Sequence, residues 1–595
     1  MLALIVVSFT LVVASISLGS WISKAIGLSF EEKSDDLFAD FWLGLSLILV
    51  TSVAAVACIP LRIIAAPTII LFGILAIDGL RRIWFSRGFA AIDGSIAAAL
   101  VLLVALAASE SPPVYDSGLY HYQIMEWYRS YGAVPGVALL HHRLGFTSSV
   151  FAVATIAELP PLKGLGNVVN ASCLIVSLWF SVNKLCLANR GDTAPPTLYW
   201  PICMIIAVPI FERSIFSTSP DLLVCLFVAV LGWLAVKCER FSEVTKSWWP
   251  AAFVVVGAGT YSAKANGLAV VAVSLLVAVH IYRMQWARIA TLAGLSIILV
   301  LPVLVVNAIT SGYPLFPMAG LRLPVSWALS RETANAVSDW IVNFPFVYQS
   351  QQVVPALVSK RTHMFWVDNS FLLSLGILNA LGLMFLAKVY GVRPKTWPIS
   401  IVTIGSLLLV GIGLTIQVPA TRFVLGYLVV VPAFALAHLK ERWLIVTFGV
   451  CFFIWLFEPW QYLNRLDIVR LSVFGVMILL STLGLERSAK FSALAVLCLS
   501  SFQYMRPLMS AAQFTLSSMR EPRKLLMPPV PRSLGFEEFV WVKHGEVSIR
   551  EPIGNNDKCW ATEPPCAPAA GNFGTVKGLR YRKTGALGSG FEESE

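Results

Sequence analysis

Apolar stretches of roughly 16 to 24 residues recur from Met1 to about Phe502, separated by short polar segments, and a stretch of that length crosses a hydrocarbon layer as a helix. Inside a bilayer every backbone polar group must find its partner within the protein, so a chain built this way folds as a helical bundle and as little else. Composition agrees: 57% of the 595 residues are apolar and only 13% charged, far from the balance of a water-soluble domain. The pattern predicts about sixteen helices, near 2–23, 40–59, 63–80, 93–109, 165–183, 197–211, 221–236, 249–260, 266–282, 289–309, 369–387, 398–416, 424–439, 443–457, 469–485 and 490–503. Met1 opens directly into an apolar run without a basic n-region or an A-x-A site, which reads as a first membrane helix and not a cleaved signal peptide.

The net charge of +11 does not point to nucleic acid, because the basic residues sit in short loops and not on one amphipathic face. They alternate. Arg81, Arg82 and Arg87 start a parity continued by Lys184/Arg190, Lys237/Arg240/Lys246, Arg283/Arg288, Lys388/Arg393/Lys395, Lys440/Arg442 and Arg487/Lys490. The short loops of the other parity carry only Arg62, Arg213, Lys264, Arg422, Arg465 and Arg470. The positive-inside rule then assigns the first set to the cytoplasm. The same parity keeps 147–160 from being a span; it is expected in or near the outer interface, with an ordinary short membrane helix as the alternative. The expected organisation is therefore N-terminal helices over 1–109, an outer loop over 110–164, a bundle over 165–503 containing a second outer loop at 310–368, and an extracytoplasmic tail over 504–595, rich in Pro and Gly and at most a small appendage.

Ionisable residues in so apolar a chain concentrate in the first outer loop, where Asp116, His121, Glu126, Arg129, His141, His142 and Arg143 follow one another. Asp116 stands where it could cap a helix running to about Ser130, which accounts for an Asp without any function. On an ideal helix Asp116, Tyr120, Gln123 and Trp127 share one side with Glu126 at its edge, a face able to order an acceptor or a sugar. Adjacent histidines on a helix or strand diverge, and without a third partner His141 and His142 do not read as metal ligands. Asp221 follows Pro220 at a helix start, a position the helix dipole favours whatever its role. Lys264 and Arg422 are cations in short outer loops, placed to hold an anionic ligand or to reach lipid phosphates. The segment 307–320, with Gly312, Pro314 and Pro317, reads as a rigid interfacial turn. Of the ten cysteines only Cys559 and Cys566 lie in a polar segment, where a disulfide is the economical inference on an oxidising side.

Taken together, YDSGLYHYQIMEWYRSYGAVPG with LHHRLGF, TSPDL, SGYPLFP, VPATRF and CW…PPC resemble a family of uncharacterised bacterial multi-pass membrane proteins, which itself resembles, mostly in layout, the GT-C superfamily of lipid-dependent glycosyltransferases. That resemblance implies an all-α GT-C-like bundle with in-plane helices in the first large outer loop. It also implies an inverting transfer of sugar from a polyprenyl-phosphate donor to a glycan or lipid-linked acceptor at the outer face of a bacterial cytoplasmic membrane, in cell-surface polysaccharide or glycoconjugate synthesis. By it Asp116 is the catalytic base and Asp221 a second acidic site residue. Lys264 and Arg422 hold the donor phosphate, and Tyr120, His121, Gln123, Glu126, His141, His142 and Arg143 line the substrate site. Two departures stand out: three helices, where GT-C cores have one, precede the helix that leads into the acidic loop, and there is no adjacent acidic pair. A divalent metal ion is the one cofactor left open. A lipid-linked glycan polymerase or ligase, and a polysaccharide transporter or flippase, are the competing expectations.

Overall fold

The computed structural model describes residues 2–85, scattered helical positions between 98 and 108, 116–158, 164–189, 194–210, 217–238, 247–347 apart from 284, 421–437, and most of 539–593. The helices expected at 369–387, 398–416, 443–457, 469–485 and 490–503 lie outside them. The protein is an α-helical membrane protein. Its helices are α1 (Leu2–Ile26), α2 (Lys33–Cys58), α3 (Leu61–Phe85), α4 (Tyr122–Ser130), α5 (Ser149–Ala157), α6 (Val168–Asn189), α7 (Pro195–Ile210), α8 (Asp221–Cys238), α9 (Ala251–Ala263), α10 (Leu268–Tyr282), α11 (Trp286–Ser311), α12 (Arg331–Val347) and α13 (Thr421–Ala437). Seven of these, α1, α2, α3, α6, α8, α10 with the turn before it, and α11, are long and apolar enough to cross a membrane.

Helices α1 and α2 pack backbone to backbone. A Cβ on Gly44 would fall 1.9 Å from the Ser15 carbonyl oxygen, and one on Gly19 would fall 1.7 Å from that of Asp40. Lipid tails are as apolar as leucine, so such close approach of small residues, and not hydrophobic burial, holds membrane helices together. Deeper in the bundle Phe38 stacks on Phe180 at 3.8 Å, with Trp200 and Trp233 edge-on to it. The opposite faces of α3 and α11 present Ile63, Ile70, Ile74, Ile297, Ile298 and Leu301 outward, as a surface solvated by lipid requires.

Charges sort the bundle into two ends. At one, Lys184 pairs with Glu32 and, at 2.6 Å, with Asp35, which Lys237 also meets at 2.5 Å; Arg82 joins Asp78 and Ser20 there. These pairs explain why α2 starts at Lys33 and not near 40: Lys184 and Lys237 meet Asp35, Lys33 meets Asp36 and Ser23 donates to Asp40, so the helix continues past its apolar stretch. The other end carries 116–158, where Ala133 N–H donates to the Val56 carbonyl and Gly136 N–H to that of Ile309.

Segment 147–160, expected in or near the outer interface, belongs to this second end, and residues 147–158 are not exposed there. Its nine-residue helix α5 is buried, with Ser148 Oγ donating to the Ala263 carbonyl and Ser149 meeting Ser262 at 3.0 Å. Small hydroxylated residues let it wedge among the helix ends. The expectations of an all-α chain and of a tail that is at most an appendage need correction. The tail forms two antiparallel pairs, β1 (Phe539–His544) with β2 (Val547–Pro552) and β3 (Leu579–Tyr581) with β4 (Phe591–Glu593), and it packs on 116–158: Phe591 N–H donates to the Pro135 carbonyl, and Trp127 meets the Phe591 ring edge-on. In β2, Val547 and Ile549 are buried on either side of exposed Ser548, a short period-2 pattern that a search for long apolar stretches does not detect.

Candidate functional site

Asp116 precedes a π-helical turn, Ser117–His121, that runs into α4. It is helical itself and makes no side-chain cap, so capping does not account for it. Its carboxylate instead accepts from Arg143 Nη1 at 2.7 Å. Arg143 comes from the 3-10 turn His142–Gly145, its guanidinium also lying over the Tyr120 ring at 5.4 Å. A planar cation that stacks and bridges at once fixes the carboxylate's direction as lysine would not.

One turn along, His121 is buried and its Nδ1 meets Thr218 Oγ1 at 2.8 Å and Ser117 Oγ at 3.5 Å. Thr218 belongs to the segment that delivers Asp221 to the start of α8, and Asn170 of α6 anchors that segment by donating to the carbonyls of Ser217 and Ser219 at 2.8 Å each. Asp221, buried, pairs with Lys264 at the end of α9. The His121 imidazole thus stands between two ion pairs. Burial pushes its pKa down to about 4, with Asp116 and Asp221 pulling upward and Lys264 and Arg143 downward. It is neutral at pH 7, able to relay a hydrogen bond but not to carry charge.

Arg422 enters this end through its backbone, in the first turn of α13. One turn later Gly426 lies against the Cα of Cys225, itself one turn into α8, and Tyr427 Oη donates to the Asn266 carbonyl at 2.8 Å. The start of α13 is therefore level with Asp221 and beside the turn after Lys264.

Other residues of the expected face turn elsewhere. The π-helical turn holds one residue more than an α-helical one, which rotates the remainder of the helix by about 100°, so Gln123 and Trp127 part from Asp116 and Tyr120 and face the tail. Gln123 Nε2 donates to the carbonyls of Trp560 at 3.1 Å and Thr562 at 2.6 Å. Glu126 joins a separate cluster, bonded to Arg129 at 2.5 Å, which also meets Glu158 at 3.1 Å. Burial lifts the Glu158 pKa to about 7, against the pull of Arg129. His141 and His142 stack ring on ring at 4.5 Å, and burial lowers both, His142 to about 3. His141 Nδ1 accepts from the Arg143 backbone N–H at 3.3 Å, which supports the turn carrying that arginine. Cys559 and Cys566 form a disulfide.

A divalent ion does not suit this donor set. Asp116 and Asp221 already face cations, and among the described residues no three His, Cys, Asp or Glu side chains come together as metal ligands. Reading the sequence did not single out Ser117, Thr218, Asn170, Arg129 as a partner, or Glu158. Asn170, a polar residue inside an apolar stretch, was the available signal.

Residues 1–429 match the model of a family described as a domain of unknown function, DUF8201. The chain belongs to this family. The match includes Asp116, Arg143, Asp221, Lys264 and Arg422, whereas the disulfide of the tail lies beyond it. Neither the curated proteins nor the solved structures contain a match.

Proposed function

We propose that this protein is an inverting glycosyltransferase that moves a sugar from a polyprenyl-phosphate donor to a hydroxyl acceptor at the outer face of the cytoplasmic membrane. One observation carries the reading: two ion pairs, Asp116–Arg143 and Asp221–Lys264, drawn from four separate segments, flank one buried neutral histidine at the end of the bundle that also carries the tail. Buried or half-buried pairs are costly to assemble and weak as stabilisers, and their convergence beside a membrane edge suits chemistry on an amphiphile.

In this scheme the Asp116 carboxylate takes the acceptor's hydroxyl proton while the oxygen attacks the anomeric carbon. The bond from that carbon to the lipid phosphate breaks on the opposite side, with inversion, and the phosphate leaves with the electron pair. Lys264 turns from Asp221 toward that phosphate, and Arg422 enters the same region from α13; fixed cations aimed at developing charge supply most of the acceleration in sites of this kind. Arg143 keeps Asp116 aimed. Thr218 and His121 hold the two halves at a fixed distance.

The test is the surface-glycan profile of cells carrying Asp116→Asn, compared with wild type and a null strain at equal membrane levels of the protein. Loss of a glycan equal to that of the null is expected. A glycan that the null loses and Asp116→Asn keeps would remove Asp116 from the chemistry, and would leave a polymerase or ligase centred on Lys264 and Arg422, or a flippase, as the better account.

A further inference from the structure

The tail holds the π-helical turn at two points that bracket the candidate site. Upstream of His121, Trp560 N–H donates to the Gly118 carbonyl at 2.8 Å, and the indole lies against the Gly118 Cα so closely that a Cβ there would come within 2.6 Å of the ring. Downstream, Gln123 gives both N–H bonds to the carbonyls of Trp560 and Thr562, and is itself fully buried. Trp560 takes φ +46°, a left-handed conformation that costs a bulky residue on the order of 1–3 kcal/mol and persists only where surroundings impose it. Here the surroundings are the loop closed by Cys559 and Cys566.

The element held in this way is the least stable kind of helix. A π-turn has poorer packing than an α-turn, and its collapse to α-helix would expel one residue and swing Asp116 by about 100° around the axis relative to α4. Asp116 would then leave Arg143. We infer that the disulfide-closed loop of the tail, through Trp560 and its bonds to Gly118 and Gln123, is a positioning element that selects the π register and so aims Asp116 and His121. Trp560 and Gln123 are positioning residues, not catalytic ones. The link from register to catalysis rests on the proposed transferase reading; the link from tail to register does not.

The experiment uses the full chain in detergent or nanodiscs and follows amide hydrogen exchange of residues 117–123, with α8 and α9 as internal references, for Trp560→Ala, Trp560→Phe, Gln123→Glu and wild type after reduction. Gln123→Glu keeps the size and removes both donors. Trp560→Ala, Gln123→Glu and reduction are each expected to speed exchange at 117–123 by about tenfold or more, with α8 and α9 unchanged, and Trp560→Phe to restore protection. Faster exchange in the tail with 117–123 unchanged would overturn the inference. Should a substitution prevent folding, reduction of the folded wild type decides by the same criterion. In cells, glycan output should follow the exchange results; a released turn with full output, where Asp116→Asn abolishes it, would refute the catalytic link. An Asp116→Asn strain with full output would refute the transferase reading alone, and exchange would still decide the grip.

Discussion

Three histidines, His121 and His142 buried and His141 half-buried, give 116–158 a marked pH response whose sign is set by desolvation. His121 is lowered to about 4 and His142 to about 3, with His141 lowered as well, in each case chiefly because the imidazole is out of water. A histidine whose folded pKa lies below its unfolded value contributes stability that is complete above about pH 6.5 and disappears as pH falls toward the folded value. For His121 that difference corresponds to about 3 kcal/mol at most. Glu158 acts in the opposite sense, since its pKa is raised to about 7: its contribution is complete below about pH 4.5 and lost as pH rises through 7. Within 116–158 three groups oppose one, so this segment should lower the thermal midpoint of the detergent-solubilised protein between pH 6.5 and 4. His121→Asn, which can still bond Thr218, should flatten that fall. Equal acid sensitivity in the two proteins would show that His121 is not desolvated as described. At this scale the sequence exposed the ingredients but not the pairings: Asp116 and Arg143 stood out as charges in an apolar chain, while their bond depends on a 3-10 turn that no periodicity announces.

Among the elements, the α1–α2 crossing is the most exacting contact. Ser15, Gly19 and Ser23 recur at intervals of four along α1 and meet Asp40 and Gly44 of α2, with Ser23 Oγ donating to Asp40 at 2.5 Å. Gly44→Leu must drive the helices apart, because the obstacle is backbone; overpacking a close-fitting interior typically costs about 1–3 kcal/mol, and a rigid main-chain contact belongs at or beyond the upper end. Little folded protein should survive solubilisation, measured as the monodisperse fraction on size-exclusion chromatography. Gly73→Leu is the control: nothing lies within 4 Å of a Cβ at that position on α3, and its yield should equal that of wild type. Equal yields for both variants would count against the crossing. The positions of α1, α3, α6 and α8 were visible in the sequence, because one rule of length and polarity governs them. The start of α2 was not, since it depends on lysines about 150 and 200 residues away, and neither was the π-turn, whose Gly118 carbonyl accepts from Trp560 and which leads into Gln123, bonded to carbonyls 437 and 439 residues distant.

For the molecule as a whole, the distribution of charge implies an orientation. Lys184, Lys237 and Arg82 share one end with their acidic partners, and the turn at Arg283 and Arg288 joins them, with Tyr282 Oη donating to the Ser247 carbonyl and Gly27 abutting Ser247. Asp116, Asp221 and Lys264 lie at the other, together with β1 to β4. Cytoplasmic loops accumulate Lys and Arg, so the first end should face the cytoplasm and the tail should sit outside, where a disulfide persists. Two exposed positions test this. Ser548→Cys in β2 should react with a membrane-impermeant maleimide on intact spheroplasts, and Gln285→Cys only after permeabilisation, each read from the mass of the labelled peptide. The reverse pattern would turn the protein over, placing the disulfide in a reducing compartment and Asp116 on the side from which lipid-phosphate sugars of an outer-face transferase are not drawn. Labelling of both in intact spheroplasts would contradict the separation of the two ends itself, and with it the packing of the tail against 116–158 on which the site depends.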